Sequence, residues 1–153
     1  MQLDEAAHIL GSADFFSICN LEQRRMLAFA GERRGLLSGE TLFRAGDVTE
    51  GAYVLISGEL LSSRSEPKDA KGVSITQPGA VIGELALIAK KPRRATVVAV
   101  TPADLLLVPR IAFSKLMQQY PEVAQRAASK IREDVGAYVT PLASAGEKIS
   151  GRR

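Results

Sequence analysis

Disulfides, membrane spans and catalytic triads are all poorly supplied in this chain. There is one cysteine, Cys19, so no internal disulfide can form, and the chain suits a reducing cytoplasm. There is one histidine, His8, with no partner at metal or catalytic spacing, so neither a Ser-His-Asp nor a Cys-His set can be assembled around it. His8 and Cys19 both read as structural. No apolar run approaches the ~20 residues that span a bilayer, and Asp4, Glu5 and His8 do not form a signal-peptide pattern. Charge of one sign is also scarce. A net charge of +3 does not mark nucleic acid as the main partner, although a pI near 9.2 allows contact with anions. No repeat or low-complexity segment stands out.

What is present is the make-up of one globular domain: 153 residues, 46% hydrophobic and 24% charged. A short helix is expected over residues 2–10, ending at Gly11, and Asp14 is expected to cap a turn carrying Phe15, Phe16 and Ile18. Asn20 reads as the N-cap of a second helix, in which Leu21, Met26, Leu27 and Ala30 recur at helical spacing up to Gly31. From Glu32 the texture changes to short apolar runs split by turns. The runs include Gly35 to Leu37, Thr41 to Arg44, Ala52 to Ile56, Leu60-Leu61, Val73 to Ile75, Val97 to Val100 and Leu105 to Val108. Many short strands at regular spacing predict a β-sandwich or barrel. Residues 62–72 read as a mobile hairpin connection. Pro109 opens a helical stretch through Tyr120, and Pro121 opens a last helix to about Tyr138, with Ile131, Val135 and Tyr138 along one face. The tail over 139–153 is small and charged and is expected to fray.

The stretch that carries chemistry runs from Gly79 to Ala99. Two glycines, Gly79 and Gly83, bracket Ala80-Val81-Ile82; Glu84 and the apolar turn Leu85 to Ile88 follow; a basic loop then leads through Arg93 and Arg94 into a β-rich run. This reads as strand, glycine turn, one short helix, loop, strand. A helix start after a glycine turn offers backbone N–H groups and a positive dipole end to an anion such as phosphate. A carboxylate that accepts hydroxyl hydrogen bonds, beside an arginine that grips phosphate oxygens, suits a sugar phosphate. Glu84 also fits a simple helix-start charge, and Arg93 a solvated one.

Gly83-Glu84-Leu85-Ala86-Leu87 and Pro92-Arg93-Arg94-Ala95-Thr96 match, at the family's separation, the phosphate-binding cassette F-G-E-hydrophobic-A-L, loop, P-R-x-A-T. The chain therefore resembles the cyclic nucleotide-binding domain family, which includes protein kinase A regulatory subunits, catabolite activator protein and cyclic nucleotide-gated channels. Gly39-Glu40, Phe43, Gly46-Asp47, Tyr53 and Ser57-Gly58 match its early strands, and the resemblance covers about Phe15 to Val135.

It implies an α+β fold, an eight-stranded antiparallel, jelly-roll-like β-roll flanked by N-terminal and C-terminal helices. The expected divisions are a helical segment over 1–31, the β-roll over 32–109 with the cassette at 79–96, and helices over 110–138. The implied ligand is cAMP, possibly cGMP, with no cofactor, no metal and no catalysis. Implied ligand contacts are Gly83, Glu84 on the ribose 2′-hydroxyl, the N–H groups of Leu85 and Ala86, Arg93 on the phosphate, and Arg94 and Ala95 beside it. Ile131, Val135 and Tyr138 are the candidates for a lid over the base.

Two positions depart from the family pattern. Ile82 replaces the usual Phe, a change of packing. Arg94 stands where relatives carry Ala, Ser or Thr; Thr there resembles cGMP-preferring members, so cAMP is expected. Only eighteen residues follow Val135, too few for a helix-turn-helix, so this chain alone is not expected to read DNA. A downstream protein partner, and a homodimer through the last helix, are the other expected partners. The alternatives are a module of a transcription regulator, channel or kinase subunit, or an interaction module that has lost its ligand.

Overall fold

The computed structural model describes residues 3–64 and 72–132. In chain order it has α1 (Leu3–Ser12), a 3-10 turn (Asp14–Ile18), α2 (Leu21–Ala30), β1 (Glu32–Leu36), β2 (Thr41–Phe43), β3 (Gly51–Ser57), β4 (Leu60–Arg64), β5 (Val73–Ile75) and β6 (Val81–Ile82). A second 3-10 turn (Glu84–Leu87), β7 (Ala95–Ala99), β8 (Ala103–Pro109) and α3 (Arg110–Gln119) follow, and residues 121–132 form α4. The eight strands make two antiparallel four-stranded sheets, ordered β1-β8-β3-β6 and β2-β7-β4-β5. This is the expected α+β architecture, a β-roll with helices at both ends.

The near-continuous apolar runs of β3 and β8 follow from their place at the centre of the first sheet, where both faces are covered. Tyr53, Leu55, Leu105 and Leu107 point between the sheets and pack with Phe43, Leu60, Ile82 and Val97 of the rest of the roll. Ala52, Val54, Leu106 and Val108 alternate with them and pack under the helices, with Leu10, Phe16, Leu27, Phe113, Leu116 and Val123. Each such leucine or phenylalanine contributes roughly 1.5–3 kcal/mol by leaving water, so these two layers dominate the stability. β1 departs from the sequence expectation of a strand limited to Gly35 to Leu37. It runs Glu32–Leu36, pairs along its length with β8, and carries Arg33 and Arg34. It is an edge strand with exposed and half-buried side chains, so the period-2 hydrophobic signal is missing.

The helical layer is fixed by local chemistry. Asn20 and Gln23 form a reciprocal capping box, with Gln23 N–H donating to Asn20 Oδ1 at 2.8 Å and Asn20 N–H donating to Gln23 Oε1 at 2.9 Å. Asp14 is not a cap; Ala13 holds that position, and the Asp14 carboxylate pairs instead with Lys130 of α4 at 2.6 Å. Val123, Ala127 and Ile131 form the buried stripe of α4. Val135, Tyr138, the 139–153 tail and most of the expected 62–72 connection lie outside the described residues.

Candidate functional site

The site begins where β6 ends. Gly83 has φ +77°, a left-handed conformation that glycine adopts without steric cost, and it turns the chain into the Glu84–Leu87 3-10 turn. Leu87 is buried under the helices and Ala86 is 8% exposed, which anchors the turn, while Leu85 is exposed and Glu84 half-buried. The Ala86 N–H donates to Gly83 O at 3.0 Å and so closes the turn.

Arg93 meets this turn from the other side. Its backbone is locked to the β2–β3 connection, with Arg93 N–H donating to Asp47 O at 2.7 Å and Gly46 N–H donating to Arg93 O at 2.8 Å. Its side chain points inward. Nε donates to Thr49 Oγ1 at 3.0 Å, Nη2 donates to Gly51 O at 2.7 Å, and Cζ lies 4.3 Å from the centre of the Phe43 ring. The Thr49 hydroxyl donates in turn to Gly51 O at 3.0 Å, so two neutral acceptors hold two edges of the fork. The remaining nitrogen, Nη1, lies against Gly83, where a Cβ would overlap it. Burial pulls the guanidinium below the usual arginine range; Tyr53 counters this and the neighbouring Arg110 cation adds to it. An arginine keeps its proton under such a shift, so the position is a partly desolvated positive charge that an anion would stabilise.

The structure thus brings Gly83 and Arg93 into contact, with Glu84, Leu85 and Ala86 in the turn between. Arg94 is exposed, and Ala95 is half-buried at the start of β7, opposite Arg64. Ile131 sits in the core beneath the helices. Thr96 has a structural task, its Oγ1 accepting from Ala45 N–H at 2.9 Å.

Sequence reasoning did not find Thr49, Gly51 and Arg110. Arg110 donates from Nη1 to Ala86 O at 2.8 Å and from Nη1 and Nη2 to Thr49 O at 3.1 Å each. Gly51 passes so close to the Val108 carbonyl that no Cβ fits. These residues act mostly through backbone carbonyls, which leave no side-chain pattern to read. Among the described residues no group of three or more His, Cys, Asp or Glu is placed to hold a metal. No helix among them is long and apolar enough to cross a membrane.

The family model for the cyclic nucleotide-binding domain matches residues 33–120. A solved cyclic nucleotide-binding-like protein from Brucella abortus superposes with a TM-score of 0.65 at 30% identity, covering 74% of this chain and 98% of that one. Among curated proteins, the acetyltransferase Pat of Mycolicibacterium smegmatis is 29% identical over 133 residues, 87% of this chain and 40% of Pat. The cAMP-dependent protein kinase regulatory subunit of Yarrowia lipolytica is 38% identical over 80 residues, 52% of this chain and 20% of that subunit. The chain therefore spans less than half the length of these curated relatives.

Proposed function

The chain belongs to the cyclic nucleotide-binding domain family, and from that premise we propose that it is a non-catalytic receptor domain for cAMP. The observation that carries the reading is the Arg93 guanidinium, held over Gly83 by Thr49 and Gly51 and partly stripped of water. A cyclic phosphate seated at the Gly83–Glu84 turn restores to that cation the stabilisation it loses by burial. Glu84 accepts from the ribose 2′-hydroxyl. The N–H of Leu85 lies next in the turn, while the Ala86 N–H must be shared between the ligand and Gly83 O.

Arg94 faces solvent and supplies no hydroxyl to a guanine amino group, which favours adenine over guanine. The solved regulatory domain of Toxoplasma gondii protein kinase A holds cAMP on the same fold, at 23% identity and a TM-score of 0.66. The output in this reading is a shift of the C-terminal helices toward the base, a two-state element biased by differential affinity. Because the curated relatives are longer, the domain serves as a regulatory module acting on a protein partner, without reading DNA itself. A membrane plays no part in this reading, and the cytoplasm is its setting. Val123, Ala127 and Ile131 are used inside the protein's own core, so a homodimer through α4 would need its other faces or the residues after 132.

Titration calorimetry with cAMP, cGMP and AMP tests the reading. Saturable binding of cAMP, weaker binding of cGMP and none of AMP is expected. Absence of binding by both cyclic nucleotides overturns it in favour of an interaction module.

A further inference from the structure

The contacts around the cassette form one connected frame. The Arg93 Nε–H donates to the Thr49 hydroxyl, that hydroxyl donates to Gly51 O, and Arg93 Nη2 donates to the same Gly51 O, so arginine, threonine and glycine close a ring. The backbone under that ring is held from α3. The Arg110 N–H donates to Glu50 O at 2.7 Å, and both Arg110 terminal nitrogens donate to Thr49 O. The same guanidinium reaches across to Ala86 O, on the second-last residue of the cassette turn. Arg110 is the first residue of α3, and the register of β3 with β8 ends on Gly51 opposite Pro109. One side chain therefore joins three parts: the segment that orients Arg93, the turn that carries Glu84, and the start of a helix.

We propose that Thr49 and Arg110 are positioning residues for the anion site: the Thr49 hydroxyl aims the Arg93 fork at Gly83, and Arg110 clamps Thr49 and the Glu84–Leu87 turn to the start of α3. The chemistry explains why these residue types fit. A fork can hold two carbonyls at once, whereas a lysine ammonium offers no fixed fork. A threonine hydroxyl can accept from Nε and donate to a carbonyl together, which valine, its near-isostere, cannot do. A fork held on two edges loses less freedom when an anion arrives at the third, so affinity comes from preorganisation as well as from charge. The Thr49–Arg110 frame also makes the site and α3 one mechanical unit, so that a shift of the turn is felt at the helix start.

This inference rests on the cyclic nucleotide reading for its ligand, but its test has an arm that needs no ligand. In the free protein, the Arg93 Nε–H resonance in nitrogen-15 spectra reports the bond to Thr49 directly. It is expected to be observed and slow to exchange in the wild type and in Thr49→Ser, which restores the hydroxyl. It is expected to shift and exchange faster in Thr49→Val and in Arg110→Gln. A packing role for Thr49 predicts the reverse order, with Val tolerated and Ser damaging.

In the second arm, cAMP is titrated into each variant. Thr49→Val and Arg110→Gln are expected to bind about tenfold more weakly, the scale of one hydrogen bond to a charged group. Thr49→Val should add little once Arg93 is alanine, because both changes break one contact. An unchanged Arg93 Nε–H signal in Thr49→Val overturns the proposal, as does full additivity with Arg93→Ala. Failure of the wild type to bind any cyclic nucleotide overturns the proposed function alone, and the ligand-free arm still decides the roles of Thr49 and Arg110.

Discussion

Gly83 has no room for a side chain. Its φ of +77° is unfavourable for an L-residue, and a Cβ would overlap the Arg93 guanidinium. Gly83→Ala is therefore expected to cost about 1–3 kcal/mol of stability through backbone strain. It should also weaken cAMP by displacing Arg93, which equilibrium unfolding and titration would report separately. Cys19 makes a different prediction. Burial pushes its thiol up to about 11, with Arg24 and Arg126 pulling it the other way. The folded protein thus favours the neutral thiol, and its stabilising effect is complete below the thiol's ordinary pKa of 9.0 and lost as pH rises toward about 11. The stability advantage of the wild type over Cys19→Ala should shrink across that window in denaturant titrations. Iodoacetamide should label the native thiol far more slowly than the unfolded one. A stability difference that stays flat from pH 8 to 11, read as roughly the interval around that shift, would contradict the account.

At the scale of elements, the capping box and α4 carry the predictions. Asn20→Ala removes one half of the box and should destabilise the protein by about 1 kcal/mol, checked by a shifted unfolding midpoint with an unchanged denaturant slope. Amide exchange across 121–132 should slow on adding cAMP by more than it does in β3, if the helices close toward the base. Equal change in both would mean that α4 is already fully held without ligand.

Elements were legible in the sequence where burial imposed a pattern. β3 and β8 read as apolar runs because both faces are covered, α2 read from Asn20 and its helical spacing, and the cassette read from Gly83, Glu84 and Arg93 in fixed register. β1 was only partly legible because an edge strand carrying Arg33 and Arg34 needs no apolar alternation. Thr49 and Arg110 were illegible because they act through backbone carbonyls, Arg110 donating to Thr49 O across 61 residues of chain. Nothing in a local window shows that meeting.

At the scale of the whole molecule, the two core layers hold a frame in which the β2–β3 connection, the cassette and the start of α3 meet at Arg93. A ligand that binds only this folded frame stabilises all of it, by about 2.7 kcal/mol at a hundredfold excess over Kd. Thermal unfolding should therefore shift upward with cAMP concentration in the wild type. The central claim is that the partly buried Arg93 cation is the anchor of a cyclic phosphate. Calorimetric titration of cAMP into the wild type, Arg93→Ala and Arg94→Ala, side by side, tests it most directly. The account predicts saturable binding to the wild type and a loss of ~2–4 kcal/mol in Arg93→Ala, the range for stripping one partner from a desolvated charge pair. It predicts a smaller loss in Arg94→Ala, whose side chain faces solvent. Binding by Arg93→Ala equal to that of the wild type, or a larger loss in Arg94→Ala, would contradict it.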